Sequence, residues 1–176
     1  MAATWYAPVI GSTFAATKCL AYVLNAAGSG KIVRVYRVWA ISYSAAAATA
    51  AAMPLLEVHR ISAVTTPTTV TPVKADTASA ALPAQITAGY ATSQTSTYQF
   101  SRIVTTPDEA PAVGAALATS SIPTLIPWAL IWDSGYNSNG DGRDPFVVRE
   151  GEGFSIYTSA GGAAGQRDFW IEFTVT

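Results

Sequence analysis

The sequence predicts an all-β chain: an antiparallel β-sandwich, jelly-roll-like, with long extended loops and little helix. Three observations carry this expectation. The closing residues DFWIEFTVT place Phe169, Ile171, Phe173 and Val175 on one side and Trp170, Glu172 and Thr174 on the other, the period of two that a half-buried strand requires. About seven or eight segments rich in β-branched and aromatic residues are separated by Gly, Pro and Asn turns. The one run with high helical propensity, Ala45 to Ala52, is short and stands between two strand candidates, so a loop or a single helical turn is expected there.

Taken in order, KCLAYVLN and KIVRVYRVWAISY read as the two strands of a hairpin, because the intervening AAGSG has the chemistry of a tight antiparallel connection. Alternation in the second puts Val33, Val35, Trp39 and Ile41 on one face with Arg37, and Arg34 and Tyr36 on the other. LLEVHRISAV and YQFSRIV are further strands. IPTLIPWALIW is another, whose prolines at 123 and 127 push its start toward an edge or an irregular segment. FVVREGEGFSIYTS reads as two strands around Gly151 and Gly153, with Phe154 and Ile156 facing one way and Ser155 and Tyr157 the other. SAGGAAGQ then turns into the final strand.

The stretch 64–97 is poor in large side chains and carries Pro67, Pro72 and Pro83, so it is expected as an extended connector lying on a surface. Its roughly 34 residues could reach about 110 Å when stretched. The domain reading is an N-terminal arm over 1–12 and a single sandwich domain over 13–176 that contains the connector.

Composition narrows the function classes. Half of the 176 residues are hydrophobic and only 12% are charged, about half the charged share of an average soluble domain. Small uncharged side chains must cover much of the exterior, which favours life inside an assembly. The net charge is −1 and the ten Lys and Arg are scattered, so a nucleic-acid partner is not expected. No secretory leader and no long apolar span is visible, so neither secretion nor a membrane is expected and synthesis is assigned to a cytoplasm. Cys19 is the only cysteine and lies in an apolar run, where a buried inert thiol is the simplest reading.

Chemistry-bearing residues are few. His59 is the only imidazole, and Glu57 shares its strand face two residues away, so a carboxylate-oriented base is conceivable. No G-x-S-x-G elbow supplies a nucleophile, and a polar strand face turned to solvent or to a subunit boundary is the favoured reading. NSNGDGRD sets Asn137, Asn139, Asp141 and Gly142 in the first, third, fifth and sixth places of a calcium-loop pattern, but the twelfth is Val148, so a plain turn is favoured. Glu150 and Glu152 in REGEG read as a solvated or salt-bridged turn rather than as a catalytic pair. No cofactor, metal or catalytic residue is assigned. Trp39 and Phe173 are placed in the core, whereas Trp5, Tyr6, Trp128, Tyr136 and Trp170 are the candidates for partner contacts.

GSGKIVRVYRVWAI, LEVHRIS, TPVKADTASAALPA, TPDEAPAV, IWDSG, PFVVREGEGFSIYTS and DFWIEFTV, in that order, resemble small virion-associated proteins of tailed bacteriophages, of the head decoration or cement type. The resemblance runs from Gly28 to the C-terminus. It implies a non-enzymatic β-sandwich on the outside of a capsid, commonly a trimer, that bridges neighbouring subunits of the major capsid protein. The location implied is the virion surface. The alternative is a tail or fibre-associated sandwich that binds host carbohydrate through its aromatic side chains.

Overall fold

The computed structural model describes residues 3–43, 55–104, 128–134, 144–159 and 166–176. They form ten strands: β1 (Ala3–Thr13), β2 (Lys18–Asn25), β3 (Val33–Tyr43), β4 (Leu55–Val70), β5 (Val73–Lys74), β6 (Ile86–Val104), β7 (Trp128–Asp133), β8 (Phe146–Val148), β9 (Glu152–Thr158) and β10 (Gln166–Val175). Among the described residues there is no helix, and every ladder is antiparallel. The expected Ala45–Ala52 turn lies outside the described residues, as does the segment before Trp128 that contains the two prolines.

The strands divide into two layers. One sheet runs β5-β1-β10-β3-β7, with β8 pairing the same strand β3; the other joins β2, β6, β4 and β9 into a closed circuit. Reading β1-β10-β3-β8 against β2-β9-β4-β6 gives a jelly-roll-like order, in which consecutive strands of these eight cross between layers except β4 and β6, which pair within one. The core between them contains Phe146, Phe154, Phe169, Ile171, Phe173, Leu20, Val23, Val58 and Ile156. In β10 the alternation behaves as expected: Phe169, Ile171 and Phe173 are buried and Trp170 faces outward.

Four expectations are corrected. First, β2 and β3 are not a hairpin. β2 pairs with β6 and β9, while β3 pairs with β10, β7 and β8. The link between them, held by the Asn25 side-chain amide donating to the Lys31 carbonyl at 2.9 Å, crosses from one layer to the other. Each strand has an apolar face, and placing them in opposite sheets buries both against one core.

Second, residues 3–13 are no arm. They form β1, internal to its sheet, with Trp5, Ala7 and Val9 buried. Pro8 is tolerated because β5 pairs only with Trp5 and Tyr6, so beyond them the outer edge of β1 has no ladder among the described residues. Third, residues 64–97 complete β4, form β5 and begin β6. Pro67 sits in β4 past Ile61, where β9 ceases to pair with it, and the threonines around it are β-branched and strand-competent.

Fourth, Trp39 is not a core residue. Glu172 pairs with Arg37 but Phe173 pairs with Val35, so Tyr36 is an extra residue in a bulge. The slip exchanges the two faces: Val33 and Val35 point inward before it, Val38 and Ala40 after it, and Trp39 turns to the outer side.

Closure of the second sheet makes a small additional core. Cys19, Tyr22, Ile61 and Ala91 cluster there, with Leu24 and Val64 packed against them. Cys19 is buried as expected, and burial pushes its thiol pKa up to about 12, which keeps it protonated and inert.

Candidate functional site

Glu57 and His59 do not face solvent. Alternation along β4 turns Val58 into the main core and sends Glu57 and His59 to the opposite side, where β6 and the end of β9 cover them. Glu57 is 1% exposed and His59 7%. Glu57 Oε1 accepts two hydrogen bonds from Arg102, at 3.0 Å from Nε and 2.7 Å from the terminal nitrogen, and one from the Ser159 hydroxyl at 3.0 Å. Its Oε2 lies 3.2 Å from His59 Nε2, and His59 Nδ1 lies 2.8 Å from the Ser96 hydroxyl. A carboxylate only accepts, so the ring proton sits on Nε2 and the Ser96 hydroxyl donates to Nδ1. Ser96 in turn accepts from the Gln94 amide at 2.8 Å.

The chain Gln94, Ser96, His59, Glu57 touches the same residue types as a serine-hydrolase triad, but its electrostatics differ. In a triad the ring nitrogen facing the carboxylate is Nδ1 and the one facing the nucleophile is Nε2; here they are exchanged. The Arg102 guanidinium already neutralises the carboxylate that would have to stabilise an imidazolium. Burial lowers the His59 pKa from its ordinary value, partly opposed by Glu57 and reinforced by Arg102. The neutral ring is therefore a hydrogen-bonded brace between β4 and β6. Arg102, Ser96 and Ser159 were not legible in the sequence because long-range pairing, which no local pattern encodes, brings them in: the bulged β4–β6 register delivers Arg102 to Glu57 and Ser96 to His59, and the β4–β9 ladder delivers Ser159, just past β9, to Glu57.

The REGEG turn is structural. Arg149 to Glu152 closes with the Glu152 amide donating to the Arg149 carbonyl at 3.1 Å, and Gly151 at φ +75° takes the position that a type II turn reserves for glycine. Glu150 accepts from the Gly30 amide and Glu152 pairs with Arg60, so the two carboxylates serve different elements. Of the calcium-like positions, Asn137, Asn139, Asp141 and Gly142 lie outside the described residues.

Among the described residues, two surfaces carry exposed aromatic side chains. The first is the outer side of the sheet containing β10, where Trp170 is 39% exposed and Trp39 stands directly across from it. The second lies along β6. Its residues 92–104 pair with β4 on one edge and with nothing on the other among the described residues. Tyr98, 63% exposed, packs edge-on against Phe100, which leans on Phe146 at 4.8 Å between ring centroids. The Arg60 guanidinium lies 5.6 Å from the Phe100 ring and 4.6 Å from Phe146, so the aromatic pair is held in place rather than loose.

Comparison of the chain with protein-family models, with curated proteins and with solved structures returned no match.

Of the contact candidates, Trp170 is exposed and Tyr6 half-buried on the same outer face. Trp5 is a correction: at 4% exposure its ring packs in the core, with Lys74 Nζ 5.7 Å from the ring centre. It follows the inward parity of Ala7 and Val9, a pattern that becomes visible only once 3–13 is a strand. Trp128 stands in β7 across from Ile41, and Tyr136 lies outside the described residues. A groove of about 520 Å³ opens beside Trp5, lined by Ala3, Lys31, Pro83 and Val175 among others, and among the described residues its lining includes no Asp, Glu or His. Tyr98 and Phe100 were not singled out from the sequence. Their spacing of two in a strand lacking apolar neighbours was the available signal.

Proposed function

We propose that this chain is a non-enzymatic virion structural protein of decoration type, which stabilises a phage head by bridging neighbouring capsid subunits. The observation that carries the reading is the β4–β6 ribbon, of 16 and 19 residues. Its residues 62–69 and 92–100 are largely exposed, and 92–104 present, among the described residues, an unpaired edge with two fixed aromatic rings and no Lys or Pro. Monomeric proteins protect such edges with Lys, Pro or a covering segment; a partner that adds a strand or packs on the rings removes the exposure. The resemblance to phage head proteins and the jelly-roll-like layers, an architecture that viral capsid domains use, agree with this role. The hydrogen-bonded Glu57 network gives a structural rather than catalytic use for the one histidine.

The test is binding of the purified chain to capsids that lack it, followed by imaging of the decorated particle. Saturable binding at regular surface positions is expected, with a loss of about tenfold or more in affinity for the double substitution of Tyr98 and Phe100 by Ser. Association with tails alone, or glycan binding without capsid binding, overturns the reading in favour of a host-recognition module.

A further inference from the structure

The outer side chains of four adjacent strands form two parallel rows. Pro8, Trp170, Trp39 and Leu130 stand in register across β1, β10, β3 and β7, and one step along the strands stand Tyr6, Glu172, Arg37 and Asp133. The first row is apolar, with Trp170 and Leu130 exposed, and Ile10 extends it along β1. In the second row Tyr6 is followed by three charges of alternating sign, and Arg37 Nε lies 3.5 Å from Asp133.

These rows are complementary to themselves. A two-fold axis that runs parallel to the strands between β10 and β3 lays the face of one copy on the face of another, with strand order reversed. Trp170 then meets Trp39 of the second copy, Pro8 meets Leu130, Glu172 meets Arg37 and Tyr6 meets Asp133. Each opposition is apolar on apolar, aromatic on aromatic, anion on cation, or hydroxyl on carboxylate. An axis placed on β10 or on β3 itself would instead oppose Glu172 to Glu172 or Arg37 to Arg37, so the charge row selects one register.

We propose that the outer face of the sheet containing β10 is a two-fold interface between two copies of this chain, centred on Trp170 and Trp39 and set in register by Glu172 and Arg37. Face-to-face packing of two sheets about 10 Å apart is a standard β arrangement, and an isologous contact repeats every favourable pair. The bulge at Tyr36 makes this possible, because it delivers Trp39 and Arg37 to the outer side. The inference needs no capsid and stands on its own if the decoration reading fails.

The mass of the purified full chain in solution, followed over concentration by sedimentation equilibrium, tests it. A dimer of the 18.3 kDa chain is expected. Glu172→Arg alone and Arg37→Glu alone are each expected to raise the dissociation constant by about tenfold or more. A mixture of the two variants is expected to form a one-to-one heterodimer, since each reversed charge then faces its opposite across the axis although the pairing inside each chain stays broken. Trp170→Ser, a surface change, is expected to give a monomer with an unchanged melting temperature. A wild-type chain that stays monomeric at high micromolar concentration, or one that forms trimers, overturns the proposal. So does a mixture of the two charge variants that fails to associate.

Discussion

Gly89 has φ +156°, and a Cβ at that position would lie 2.0 Å from the Thr68 carbonyl oxygen on the neighbouring strand. Backbone cannot yield as a side chain tip can, so Gly89→Ala is expected to lower stability by about 3 kcal/mol, the upper end of overpacking costs, as read by chemical denaturation. His59 sets a pH dependence. Burial lowers its pKa below 6.5, so between the lowered value and 6.5 the unfolded chain holds a proton that the folded chain does not. Stability therefore falls as pH drops through that interval and does not depend on His59 above it. Thermal melts of His59→Gln should show a shallower decline with acidification than the wild type. The pairing of Glu57 with His59 was legible in the sequence, since residues two apart in a strand share a face. That this face is covered was not, because the covering residues Ser96 and Arg102 lie 37 and 45 positions away.

The elements differ in what their sequences reveal. β10 shows its parity openly, because its large apolar side chains alternate with polar ones and no bulge interrupts their inward series. β3 hides its parity, since one extra residue at Tyr36 exchanges the faces and strands of either parity look alike until paired. β1 and the 64–97 region were concealed by proline and by small side chains, although both pair over most of their length. Two substitutions separate core from surface. Phe154 packs edge-on against Phe146 at 5.0 Å and is fully buried; Phe154→Ala is expected to cost about 3–5 kcal/mol in denaturant unfolding. Tyr98→Ser touches only an exposed ring and should change stability by no more than about 0.5 kcal/mol, while reducing the capsid binding proposed above.

At the scale of the molecule, the closed circuit β2-β6-β4-β9 has no counterpart among the described residues of the other layer, whose order ends in the two-residue strand β5 and in β7. Closure protects strands where they have two neighbours, as in β4 at Glu57–Ile61 and β6 at Ala88–Ala91. Past those stretches each strand has a single partner among the described residues. Hydrogen exchange should follow this division: amides of 62–69 and 92–100 should exchange faster than those of β10, which is paired on both sides and carries three buried aromatic or branched side chains. Equal protection of the ribbon and β10 in the isolated chain would mean that the ribbon edges are already covered.

Composition and the period of two were enough to establish an all-β antiparallel chain with a low-charge exterior, because side-chain alternation and β-branching act over a few neighbouring residues. Which layer each strand joins, which way Trp39 points, and what surrounds His59 were decided by the tertiary structure alone. A bulge or a crossing between sheets changes little in the local pattern, yet it reverses every contact beyond it.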